Sequence, residues 1–149
     1  MAFNPEIHAQ SDPLVGATTL EEISRTEKTF RVYMDRYHPN EDALKHLSSV
    51  QDSITLYAFI GTWCRESKKY IPGLVKTLDV AANPFITLKF IGVDAQKKFP
   101  ETFLKTFDIK YIPTVVVLKG DVEIGRIDEA PQQLIEIELV NILNKNGIY

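Results

Sequence analysis

The stretch Ile54 to Ile60, ITLYAFI, is nearly continuous in apolar and β-favouring residues. Such a run is expected of a strand covered on both faces, which points to a sheet with helices packed around it rather than to one with a wet side. After Ile60 the period changes. Gly61-Thr62-Trp63 makes a turn, and Cys64 begins a helix whose inward face is Tyr70, Ile71, Leu74, Val75 and Leu78, with a kink expected at Pro72. Pro84 to Val93 is the next strand, with Ile86, Leu88 and Phe90 alternating, and a short helix spans about Pro100 to Phe107. Thr114 to Leu118 and Val122 to Ile127 flank Lys119-Gly120-Asp121 as a hairpin. Pro131 suits the first turn of a last helix with Leu134, Ile135, Leu139, Ile142 and Leu143 as its buried stripe. From residue 53 onward the order is β-α-β-α-β-β-α, an α/β domain around a mixed central sheet.

The residues before it read differently. Residues 1–17 hold Pro5, Pro13 and Gly16 without periodicity and are expected to form an extended arm. Residues 18–52 are expected to form a helical extension of two helices packed on the domain. In the first, Thr18 or Thr19 caps the start and Leu20, Ile23, Phe30, Tyr33, Met34 and Tyr37 recur at helical spacing. It should stop before Pro39, because the proline ring pushes His38 out of the helical region. Asn40 caps the second, with Glu41 and Asp42 at its positive end and Leu44, Leu47 and Val50 inward.

Composition narrows the function classes. The chain has 17 basic and 20 acidic residues, a net charge of -3, and no Lys/Arg block of the kind that tracks phosphates, which argues against nucleic acid. The opening residues lack the pattern of a secretory signal, and the longest apolar runs are far too short for a membrane span. His8, His38 and His46 are dispersed and the chain holds one cysteine, so no metal site and no cofactor is expected. A lone thiol fits a reducing compartment, and the cytoplasm is the expected location.

That cysteine stands in IGTWCRES, residues 60–67, with Ser67 three positions on, where a two-thiol site would place its second sulfur. At the start of a helix, unpaired N–H groups and the positive end of the dipole favour thiolate over thiol. The Ser67 hydroxyl, one turn on, would donate to that thiolate; Arg65, Lys68 and Lys69 add positive charge and Glu66 opposes them. The competing reading is that Cys64 is a small buried residue without chemistry. Asp94, at the end of the second strand, is expected to cap a turn, Lys97 and Lys98 to be solvated, and Tyr70 and Tyr111 to be packing residues, with a place at the border of a peptide groove as the alternative for the two tyrosines.

Trp63-Cys64-x-x-Ser67 at the first strand-helix junction, Pro72 eight residues after the cysteine, Asp108 to Thr114 (DIKYIPT) and Lys119-Gly120 together resemble the thioredoxin family. The resemblance covers residues 53–149 and is to a monothiol Cys-x-x-Ser variant like those of bacterial thioredoxin-related proteins. It implies a thioredoxin fold, a cis Ile112-Pro113 bond facing Cys64, and a groove in which Trp63, Ile112 and Pro113 hold an extended peptide over the thiol. It also implies catalytic roles for Cys64 and Ser67. Two departures matter. Ser67 cannot release a mixed disulfide as a second cysteine would, and the strand position six before Cys64, which carries a buried carboxylate in thioredoxin, is Ala58. An unassisted dithiol cycle is therefore disfavoured. A monothiol cycle remains, in which Cys64 exchanges with protein thiols or disulfides and an external thiol resolves the product. Tyr-Ile-Pro and Gly125-Arg126 replace the glutaredoxin-like pattern, which argues against glutathione. The alternative is a non-enzymatic protein-binding module in which Cys64 is incidental. An engineered Ser67 is a third reading, against which Ala58 argues.

Overall fold

A computed structural model describes residues 13–128 and 131–149. Eleven elements follow in order: β1 (Gly16–Thr18), α1 (Leu20–Thr26), α2 (Thr29–Arg36), α3 (Glu41–Ser49), β2 (Ile54–Ile60), α4 (Arg65–Ala81), β3 (Ile86–Gly92), α5 (Glu101–Thr106), β4 (Thr114–Lys119), β5 (Val122–Asp128) and α6 (Ile135–Lys145). The strands form one sheet in the order β1-β3-β2-β4-β5. β3 runs parallel to β2, as the intervening helix requires, and the other pairings are antiparallel.

Both faces of β2 are covered, as its composition demands. Toward one face, Ile54, Leu56, Ala58 and Ile60 join Ile71, Leu74 and Val75 of α4 and Leu139 and Leu143 of α6. Toward the other, Phe59 joins Ile91, Val93, Leu104, Val116 and Leu118, with Phe103 and Phe107 packed against them. Cys64 lies where β2 ends and α4 begins, flanked by the residues after β3 and before β4.

The N-terminal region departs from the expected arm and two helices. Most of the arm, residues 1–12, lies outside the described residues. Gly16–Thr18 is a strand, in register with Phe90 to Gly92 of β3. Gly92 admits it because a Cβ there would lie 2.2 Å from the Leu14 carbonyl oxygen. The single helix expected from Thr18 to His38 is two, because Glu27 leaves the helical conformation (φ -133°, ψ 97°) and its carboxylate accepts both the N–H and the hydroxyl of Thr29. A side chain that captures a donor two residues on restarts the helix instead of continuing it. Tyr33, expected inside, is 48% exposed, while Ile23, Phe30 and Met34 are buried. Asn40 caps α3 as expected, accepting the Ala43 N–H at 2.9 Å.

The extension shares the core of the sheet rather than forming one of its own. Ile23, Phe30, Met34, Leu47 and Val50 are in the same buried cluster as β2, α4 and α6. Each fully buried side chain of this size stabilises by about 1.5–3 kcal/mol relative to exposure. A polar clasp adds to them. Glu136 of α6 is fully buried and accepts the Tyr37 hydroxyl at 2.5 Å and the Asn40 N–H at 2.8 Å. The Tyr37 ring lies against Gly73 of α4, where a Cβ would come within 2.8 Å of it. Burial together with the Glu136 carboxylate pushes the Tyr37 phenol well above its ordinary pKa.

Pro72 is inside α4, which spans 17 residues. One smaller difference lies in α6. α6 begins at Ile135 rather than near Pro131, and Leu134 is 46% exposed. The Glu138 carboxylate reaches back to accept the N–H groups of Gln132 and Gln133 just before the helix.

Candidate functional site

Cys64 occupies the N-cap of α4, with extended backbone (φ -89°, ψ 121°). The turn that brings it there is closed by the Cys64 N–H on the Gly61 carbonyl at 2.9 Å. The residue is only 5% exposed. Its sulfur lies 3.5 Å from the Ile112 carbonyl oxygen and 3.8 Å from Oε2 of Glu66. Both partners are acceptors, so the thiol is the donor in each of these long contacts.

The other residues singled out in the sequence fall around this sulfur in different ways. Ile112 touches it through the backbone carbonyl, and the Ile112–Pro113 peptide bond is cis. Trp63 is half-buried, its indole N–H donating to the Val93 carbonyl at 2.7 Å, and its ring covers Gly61, where a Cβ would come within 2.4 Å. Trp63 thus ties the end of β3 to the turn that carries the thiol. Ser67 is 1% exposed and its hydroxyl oxygen accepts the Gly61 N–H at 3.1 Å. The hydrogen bond it makes is to the turn, not to Cys64; one helical turn below the cap, it holds the strand-helix junction closed. Ala58 is fully buried in β2, opposite Phe90 and Val115.

The charges expected around the sulfur are largely spoken for. Lys68 pairs with Glu27 at 3.6 Å, and the Lys69 ammonium lies 5.3 Å from the centroid of the Tyr70 ring. Glu66 supplies the charged group within hydrogen-bonding reach of the sulfur. Tyr70 packs against the core as expected, but Tyr111 is 44% exposed beside Ile112. The Thr114 hydroxyl donates to the Tyr111 carbonyl at 2.7 Å.

Asp94 organises the neighbouring loop. Its Oδ1 accepts the N–H groups of Lys98 at 2.7 Å and Phe99 at 2.9 Å, and its carbonyl accepts that of Lys97. The Phe99 amide in particular holds the carboxyl below its ordinary pKa. Among the described residues no cluster of His, Cys, Asp and Glu is placed to hold a metal ion, and no helix is long and apolar enough to cross a membrane.

A thiol at the N-cap of the first crossover helix, facing a backbone segment before the third long strand, is accompanied by a match over most of the sequence. The family model described as Thioredoxin matches residues 17–143. The chain belongs to the thioredoxin family. Its mixed five-strand sheet with six helices is a thioredoxin fold. The match includes the N-terminal helices as well as most of residues 53–149. No curated protein matches the sequence. Among solved structures it is similar to a protein of unknown function from Pseudomonas aeruginosa, at 15% identity and a TM-score of 0.61, over 89% of this chain and 83% of that one. It is also similar to an HIV epitope-scaffold, at 16% identity and 0.60, over 85% and 82%. A third is a domain of an alkylhydroperoxide reductase from Enterococcus faecalis, at 19% identity and 0.54, over 71% of this chain and 50% of that one. At these identities the likeness is one of fold.

Buried Glu136 went unnoticed in the sequence, although a signal was present. It is spaced from Leu139 and Leu143 so that all three share one face of α6. A carboxylate inside an apolar stripe is the mark of a partner elsewhere in the chain, because a charge is buried only when paired or hydrogen-bonded.

Proposed function

We propose that the protein is a monothiol member of its family, in which Cys64 exchanges with disulfides of a protein partner. The observation that supports this reading best is the position of the sulfur at the α4 N-cap, 3.5 Å from the Ile112 carbonyl. The Tyr111 to Pro113 segment beside it has backbone groups able to pair with an extended peptide. Cys64 as thiolate attacks one sulfur of the target disulfide, forming a mixed disulfide, and the other target sulfur leaves as a thiolate. A second thiol, from the partner or from solution, then attacks the mixed disulfide and releases Cys64. Ser67 has no sulfur with which to do this internally. Its part is to keep the junction, and therefore Cys64, in place. Such a cycle belongs in a reducing compartment, in keeping with a cytoplasmic location.

A second reading has an observation of its own. With Cys64 only 5% exposed and Ser67 engaged with Gly61, the site also suits a non-enzymatic module that binds partner chains at Trp63 and Ile112, with the thiol incidental. One reaction separates them. The native chain is treated with neutral 2,2′-dithiodipyridine, with the urea-unfolded chain and a Cys64→Ser variant as references. Release of one equivalent of pyridine-2-thione from the folded protein, reversed by added thiol, is the expected result. Reaction only after unfolding would sink the exchange reading in favour of the binding module.

A further inference from the structure

Arg126 of β5 is half-buried and uses four of its five N–H groups. Its Nε and Nη2 donate to the two carboxylate oxygens of Glu123 at 2.7 and 2.6 Å. Nη2 also donates to the Phe107 carbonyl at 2.8 Å, and Nη1 to the Asp108 carbonyl at 3.2 Å. Those two carbonyls stand at the C-terminal end of α5, where the last carbonyls of a helix have no partner within it and a cation is favoured. A bulge makes the arrangement possible. Residues three apart on a regular strand point to opposite faces. Here the register of β5 shifts between Val117 and Leu118 of β4, so that Glu123 lies opposite Leu118 and Arg126 opposite Val116, both on the face that α5 covers. The carboxylate thereby reaches the guanidinium and fixes its plane, with the remaining N–H groups aimed at the end of α5.

The chain that leaves α5 at this point is the one that reaches the thiol. Asp108 turns left-handed (φ 50°), and the N–H groups of Asp108 and Ile109 return to the Lys105 and Leu104 carbonyls at 3.2 and 2.9 Å, which ends the helix. Further on, the Ile112 carbonyl lies 3.5 Å from the Cys64 sulfur. At the far end stands Thr114, paired with Asp128 of β5; its hydroxyl donates to the Tyr111 carbonyl at 2.7 Å, and Asp128 Oδ1 lies 3.1 Å from the same hydroxyl. Between these ends Lys110, Tyr111 and Ile112 make, among the described residues, no hydrogen bond to another backbone group. Ile109 and Ile112 pack against the sheet, but apolar packing is non-directional, so the hydrogen bonds at the two ends set where the backbone between them lies. Arg126 and Asp128, two apart on one face of β5, frame the segment that meets the sulfur.

We infer that Arg126, clamped by Glu123, is a positioning residue for the exchange reaction: by holding the end of α5 it fixes the Ile109 to Pro113 backbone against Cys64, so that an incoming peptide meets pairing groups already in place. The inference rests on the exchange reading for its effect on the reaction; the anchoring of the segment is independent of it. Arg126 acts on the backbone that a peptide pairs with, through the Phe107 and Asp108 carbonyls, and not on the sulfur. A segment ordered beforehand lowers the cost of binding the peptide. A small disulfide, which needs the sulfur but not the pairing groups, gains little from it.

The test compares the full chain with Arg126→Met, Arg126→Lys and Glu123→Gln. In Arg126→Met, ¹⁵N relaxation should show the amides of Lys110, Tyr111 and Ile112 more mobile than in the wild type, with those of β4 and β5 unchanged. The reaction is followed with an uncharged peptide, acetyl-Ala-Ala-Cys-Ala-Ala-amide, activated as its 2-pyridyl disulfide. Cys64 attacks the peptide sulfur, the S–S bond breaks, and pyridine-2-thione leaves with the electron pair and the proton that Cys64 gave up; its release is followed by absorbance. Arg126→Met should lower the rate constant with this peptide roughly three- to tenfold more than that with 2,2′-dithiodipyridine, the equivalent of one backbone hydrogen bond. Arg126→Lys, which can still donate to a carbonyl, recovers part of the loss, and Glu123→Gln shifts both readouts the same way by less. Unchanged mobility of residues 110–112, or an equal loss with both disulfides, overturns the positioning role while leaving the exchange reading intact. If Arg126→Met does not fold, Glu123→Gln carries both measurements, and the absence of either shift has the same force. If 2,2′-dithiodipyridine fails to react with the folded wild type, the exchange reading falls, and the anchoring is decided by the relaxation measurement alone.

Discussion

Replacing Glu136 with alanine should cost more stability than any other single substitution of a charged residue in the described chain. The side chain is fully buried and accepts two hydrogen bonds, from the Tyr37 hydroxyl at 2.5 Å and the Asn40 N–H at 2.8 Å. Hydrogen bonds to a charged group contribute about 1.5–3 kcal/mol each, and their loss leaves two part-buried donors without this acceptor. Part of that loss is returned because the carboxylate no longer has to be desolvated. The net expectation is about 3–4 kcal/mol, a large share of the 5–15 kcal/mol typical of a domain. Tyr37→Phe removes one of the two bonds and should cost about 1–3 kcal/mol. Combined with Glu136→Ala it should cost less than the sum, since the bond is already gone. The assay is urea unfolding at pH 7 followed by circular dichroism, with the midpoint shift read at constant slope. If the double variant is too unstable to fold, Tyr37→Phe alone still reads one half of the clasp. A loss under about 1 kcal/mol for Glu136→Ala, or strict additivity with Tyr37→Phe, would refute the view that this carboxylate clasps the N-terminal helices to α6.

The raised pKa of Tyr37 gives the clasp a pH signature. Because the folded value lies above the ordinary phenol value of about 10, its stabilising contribution is complete below that pH and is lost as pH rises through the higher folded value. Alkaline titration of stability above pH 10 should therefore fall more steeply in the wild type than in Tyr37→Phe. Ser67→Ala removes the acceptor of the buried Gly61 N–H and should destabilise by about 1–3 kcal/mol; a neutral result in thermal melts would leave Ser67 without its role in holding the junction. Gly61→Ala puts a Cβ within 2.4 Å of the Trp63 ring and should both shift the tryptophan fluorescence and destabilise by about 1–3 kcal/mol. Unchanged emission would show that the ring does not lie over the turn.

Much of this architecture is local and could be read along the chain. The β2 run, the alternation of Ile86, Leu88 and Phe90, the hairpin around Lys119-Gly120 and the Asn40 cap each depend on neighbours a few residues away, and the structure has an element at each place. The Glu27 break is not legible there, because a glutamate inside an amphipathic pattern ordinarily continues a helix. Nor is strand β1, because three residues with a glycine and a threonine form a strand only when β3 offers them an open edge.

The candidate site divides along the same line. Its raw materials, a lone Cys64 at a strand-helix junction, Ser67 in place of a second sulfur and Ala58 in place of a carboxylate, are covalent facts of the sequence and rule out an internal dithiol cycle. Which atoms surround the sulfur is a matter of contacts between residues far apart in the chain. Cys64 meets the Ile112 carbonyl 48 residues on, and Glu136 meets Tyr37 99 residues back. Those contacts arise only when the sheet is assembled, because burial forces each polar group to find a partner, and the partner within reach is decided by tertiary packing rather than by sequence distance.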